Sequence, residues 1–103
     1  MAKYLVKVDK DLEELIPGFV ENRRKEISEL GPLLAEKKFE DITKLAHKTK
    51  GSSGGYGFME LSAWAAELEK AAKAQDLQIC LSCHQKMTEF IKDFEVVFVE
   101  SPA

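Results

Sequence analysis

The sequence predicts an all-α fold: an antiparallel four-helix bundle with a short extra helix at its N-terminus. Three observations carry this. Apolar residues recur at spacings of three and four along most of the chain, the signature of helices with one buried face. Pro17-Gly18, Gly31-Pro32, Gly54-Gly55 and Gln75-Asp76 punctuate the periodic stretches with residues that start or stop helices. No two segments read as a convincing strand pair, so short loops should join neighbouring helices.

Residues 1–10 read as an extended lead-in, because Tyr4 to Val8 mix apolar and polar side chains with β-branched ones. Asp9 or Asp11 suits the cap of a short first helix, with Glu13 and Glu14 near its positive end. Pro17 belongs in the first turn of the next helix, where its missing N–H costs nothing. Phe19, Val20, Ile27 and Leu30 form one buried stripe, with Asn22 to Glu26 as a charged back, and Gly31-Pro32 should bend or break that helix before Leu33 to Lys37 continue it. The second bundle helix runs from about Phe39, weakly capped by Lys38, to Gly54 or Gly55. The third spans Phe58 to Lys73 and is rich in Ala, Glu and Lys. Asp76 caps the fourth, which carries Cys80, Leu81, His84, Met87, Ile91, Phe94 and Phe98 on one face. Its end is poorly signed in the β-branched run Val96 to Val99. The division is therefore one domain over 1–103, helical over 11–98, with 99–103 as a tail.

A chain of 103 residues supports one core, and 45% hydrophobic with 32% charged residues is the balance of a globular protein. The net charge of −3 argues against a nucleic-acid partner, since such binding rests on lysine and arginine neutralising phosphates. No apolar run is long enough to span a bilayer, and the charged residues near Met1 do not make a secretion signal, so the expectation is a cytoplasmic protein without a membrane partner. Two cysteines imply no disulfide framework.

Leu45 to Gly57 carries the chemistry. On a helix, Ile42, Leu45, Ala46, Thr49, Ser53 and Tyr56 face the core, and His47 falls on the solvent side. Lys50 and Gly51, three and four residues on, are its surface neighbours; Gly54 continues the strip and Lys44 lies one turn before. The result is an exposed imidazole beside a cation, on a floor without side chains. Glycine inside a helix costs about 0.5–1 kcal/mol relative to alanine, a cost that close approach by another molecule would offset. A neutral imidazole has a free lone pair that attacks phosphorus, and a lysine neutralises the oxygens of the moving group.

At these residues the sequence resembles the histidine-containing phosphotransfer (HPt) family of two-component phosphorelays. The signature reads His47-Lys48-Thr49-Lys50-Gly51-Ser52-Ser53, and Gly54 to Phe58, Ile16 to Phe19 and Asn22 to Lys25 resemble one branch of the family. The resemblance implies that His47 accepts a phosphoryl group from a phospho-aspartate on a receiver domain and passes it to another, downstream of a hybrid histidine kinase. It implies Lys50 as the phosphate-side cation, Gly51 as the access position, and a bundle with the histidine on its second helix. Lys44, Lys48 and Gly54 complete the expected docking strip. No cofactor and no metal is implied, and with no glycine-rich ATP loop the chain is expected to be a phosphocarrier and not an enzyme in its own right.

Two rivals arise. Cys80-Leu81-Ser82-Cys83-His84 spells C-x-x-C-H, the attachment motif of c-type haem, which some four-helix-bundle electron carriers use. Against it, Cys80 and His84 share a core-facing stripe, and the glycine strip at His47 is left unexplained. The other rival is a non-catalytic helical docking adaptor. Tyr56, Phe58 and Trp64 read as core, and Arg23-Arg24-Lys25 as a solvated face.

Overall fold

A computed structural model describes residues 3–100. Strand β1 (Tyr4–Asp9) leads into a 3-10 helix (Lys10–Leu15), followed by α1 (Ile16–Ala35), α2 (Phe39–Gly55), α3 (Met59–Lys73), α4 (Leu77–Lys92) and strand β2 (Phe94–Val99). The expected four helices are present. They pack in a cycle, α2 against α1 and α3, and α4 against α3 and α1. Among the described residues no helix is long and apolar enough to cross a membrane.

Three-residue connections join the helices, and all three use the same stop. Lys37, Gly57 and Gln75 take positive φ (55°, 86° and 56°). The following N–H then reaches back to a carbonyl of the last turn: Lys38 to Leu33 at 2.9 Å, Phe58 to Ser53 at 3.0 Å and Asp76 to Ala71 at 2.9 Å. Only Gly57 is a glycine here for a further reason: a Cβ on it would stand 3.1 Å from the Lys7 carbonyl of β1. Asp76 caps α4 as expected, its carboxylate accepting from the Ile79 N–H at 3.2 Å, and Asp9 does the same for the 3-10 helix through the Asp11 N–H at 2.9 Å. Lys38 gives α2 no side-chain cap, and Glu40 and Asp41 favour its first turn instead.

Three expectations are corrected. A strand pair does exist: β1 and β2 run parallel in the register Tyr4↔Phe94, Val6↔Val96, Val8↔Phe98, with Val6 and Val8 turned into the core. The fourth helix therefore ends at Lys92, and Phe94 to Val99 is strand and not helix or tail; residues 101–103 of the expected tail, and 1–2 of the lead-in, lie outside the described residues. The helix does not stop at Gly31-Pro32. It runs to Ala35, because Leu30 and Leu34, four apart across Pro32, bury one continuous face. On α4, Leu81 is exposed, and Cys83 and Phe90 take the buried places beside Cys80, Met87 and Ile91.

Most of the aromatic side chains gather at one end of the bundle. Phe58, fully buried, lies 4.6 Å from Phe19, 5.8 Å from Phe94 and 6.2 Å from Phe90 between ring centroids. Tyr56 stacks on Phe19 at 4.6 Å, and Trp64 meets Tyr4 edge-on at 5.7 Å. This cluster clamps the turn between α2 and α3, and so sets the register in which those two helices meet at His47.

Candidate functional site

Ile42, Ala46, Thr49 and Ser53 are fully buried and form the stripe that seats α2. His47 is one position past Ala46, about 100° around the helix. It therefore stands at the shoulder between α2 and α3, not opposite the core as the sequence suggested. Its side chain is 69% exposed, and its Nδ1 lies 2.9 Å from Oε2 of Glu69 on α3. A carboxylate can only accept, so Nδ1 carries the proton and donates. Nε2 keeps its lone pair, and no described residue engages it.

Glu69 is the residue the sequence reading missed. Its side chain is 11% exposed and it gathers three groups. His47 binds Oε2, Lys50 Nζ donates to Oε1 at 2.8 Å, and Lys73 Nζ lies 3.7 Å from Oε2. The Lys50 hydrogen bond holds the Glu69 carboxyl below its ordinary value, against the opposing effect of burial and with help from His47. The signal in the sequence was position: Glu69 falls four residues after Ala65 and eight after Leu61, on the buried stripe of α3.

The other expected site residues divide. Gly51 is exposed, and a Cβ on it would meet nothing within 4 Å, so the surface beside His47 is open there. Gly54 has a different job: a Cβ on it would stand 3.3 Å from Ser62 Oγ, so it lets α3 approach. Ser62 in turn donates to the Lys50 carbonyl at 3.0 Å and ties the two helices beside the site. Lys44 is exposed and pairs loosely with Glu40 at 3.6 Å. Lys48 leans the other way, to Glu26 of α1 at 3.6 Å.

Glu26 belongs to a second buried group. Its carboxylate accepts from Arg23 Nη2 at 3.1 Å and from the Thr49 hydroxyl at 2.8 Å, and Arg23 lies over the Phe19 ring at 4.9 Å. Arg23 is thus buried and not part of a solvated face; the solvated-face reading holds for Arg24 and Lys25. This network pins α1 to α2 directly behind His47.

The C-x-x-C-H residues do not fit a covalently attached haem. Cys80 and Cys83 are buried at 0% and 2% exposure. Burial raises both thiols above their ordinary value, Cys83 to about 11. His84 Nε2 is held at 2.8 Å by the Ile27 carbonyl.

The family model of the Hpt domain matches residues 8–96. The chain belongs to the Hpt domain family. Hpt domains carry phosphoryl groups on histidine in two-component phosphorelays, exchanging them with receiver domains and histidine kinases. They are phosphocarriers more than enzymes. Neither a search of curated proteins nor one of solved structures returns a match. The Hpt match includes both β1–β2 partners only in part, because Tyr4 to Lys7 and Val97 to Val99 fall outside it.

Proposed function

We propose that this Hpt domain is a cytoplasmic phosphorelay intermediate whose phosphoacceptor is Nε2 of His47. The observation that carries the reading is the division of labour on one ring: Nδ1 is bound to a buried carboxylate, while the ring as a whole is 69% exposed with Nε2 unengaged among the described residues, and Gly51, four residues on, is open. In this reading the helices alternate in direction, an arrangement that three-residue connections favour, and α2 and α3 present this shoulder as a continuous face.

In the step, the Nε2 lone pair forms the N–P bond as the P–O bond to the receiver aspartate breaks, and that electron pair returns to the aspartate carboxylate. Attack leaves the ring cationic, because Nδ1 keeps its proton. The Glu69 carboxylate, 2.9 Å away, stabilises that charge and fixes the tautomer in advance. Lys50, already at the same carboxylate, turns its ammonium to the phosphoryl oxygens. Gly51 leaves room for the receiver, and Lys44 and Lys48 flank it as docking cations. The reverse of the step delivers the group to a second receiver.

The test is to mix the protein with a phosphorylated receiver domain. The expected product is acid-labile, alkali-stable phosphate on the wild type and none on His47→Gln. Phosphate of the same stability on His47→Gln would remove the assignment and favour His84, and no phosphate on either protein would favour a docking role.

A further inference from the structure

Lys73 approaches the same Glu69 oxygen that holds His47, yet the resemblance gives it no role. Its Nζ stands 3.7 Å from Glu69 Oε2, beyond hydrogen-bond reach, and its side chain is 66% exposed. Lys50, in contrast, makes a 2.8 Å bond to the other oxygen and is 36% exposed. The contacts to Oε2, 2.9 Å from His47 Nδ1 and 3.7 Å from Lys73 Nζ, place the Lys73 ammonium less than about 7 Å from the His47 ring, at the end of a long flexible stem. We propose that Lys73 is a second ligand of the phosphoryl group on His47, held near the site by Glu69 until the group arrives. This rests on His47 being the phosphoacceptor.

Charge balance is the main argument. The phosphoryl group brings close to two negative charges and three acceptor oxygens. With the ring cationic after attack, Lys50 alone leaves the site one charge negative, because Glu69 is also ionised. Lys73 brings the sum to zero. A loose surface ion pair is worth about 0–1 kcal/mol, so leaving Glu69 costs Lys73 little. A contact to a dianion is the stronger one. Before transfer, Lys73 also lies within screening distance of an approaching acyl phosphate.

Lys70 supplies the control. It is exposed on the same helix, three residues earlier, and lines the groove with Glu67, Ala71, Ala74, Asp76 and Ile79 toward α4. Its loss removes the same charge from α3 without touching the site.

The experiment charges His47 with phosphoramidate, a small donor that needs no receiver, and follows the decay of the phosphoprotein by phosphorus NMR. In Lys73→Met the half-life is expected to fall roughly two- to fivefold, the worth of one partly screened ion pair. Lys73→Arg is expected to restore it, and Lys70→Met to leave it at the wild-type value. A Lys73→Met half-life equal to wild type overturns the proposal, as does an equal fall in Lys70→Met. Failure of wild-type protein to take phosphate on His47, from phosphoramidate or from a phosphorylated receiver, instead removes the phosphoacceptor reading and this proposal with it.

Discussion

The two histidines of this chain sit on helices with the same amphipathic design and have opposite chemistry. His47 binds a carboxylate through Nδ1 on a largely exposed ring and leaves Nε2 without a partner among the described residues. His84 spends Nε2 on the Ile27 backbone carbonyl, half-buried beside Cys83 and Met87 on the seam of α1 and α4. A neutral carbonyl orients a ring; an ionised carboxylate also stabilises it when it becomes cationic. The partner of the ring, and the nitrogen it leaves free, are what distinguish the proposed phosphoacceptor from the other histidine.

The comparison breaks first at the cysteines. If the α4 seam is closed core, the raised Cys83 thiol yields about a hundredfold less thiolate near pH 8 than in the unfolded chain. Alkylation by iodoacetamide is expected to be slower by at least that factor in the native protein, and labelling at the unfolded rate would open the seam again to a haem or redox reading. The sign for stability follows: the folded pKa lies above the unfolded value of 9.0, so the cysteine contribution is whole below pH 9 and is lost as pH rises through about 11.

Removal of the carboxylate sharpens the other half. Glu69→Ala loses a charge-assisted hydrogen bond to the reacting ring, worth about 1.5–3 kcal/mol, so receiver-to-His47 transfer is expected to slow roughly ten- to a hundredfold. Rapid-quench rates with wild-type and variant protein check this, and an unchanged rate would reduce Glu69 to a packing residue. The depressed Glu69 carboxyl keeps its charge above its ordinary value of 4.5, and its contribution to stability fades only as pH falls through the lower folded value. A loss of transfer above pH 5 is therefore not a titration of Glu69.

Much of the bundle was legible because helices write themselves locally. Phe39, Gly55, Lys73 and Leu77 bound their helices within a residue of where periodicity and punctuation put them. The parallel β1–β2 pair was not, since its partners, such as Tyr4 and Phe94, lie at opposite ends of the chain and neither strand shows full alternation alone. Pro32 misled because a local break signal was outweighed by burial on both sides of it. At the site, His47, Lys50 and Gly51 were readable from spacing along one helix. Glu69 and Lys73 were not, because they come from α3, where glutamate and lysine read as ordinary helix-forming surface residues. Arg23 and Glu26 hid for the same reason, inside a run of charges.

The central claim is tested most directly by the bond itself. Protein labelled with nitrogen-15 in its histidine rings, phosphorylated and held at alkaline pH, is expected to show phosphorus coupled to Nε2 of His47. Phosphorus coupled to Nδ1 of His47, or to either nitrogen of His84, would contradict the account.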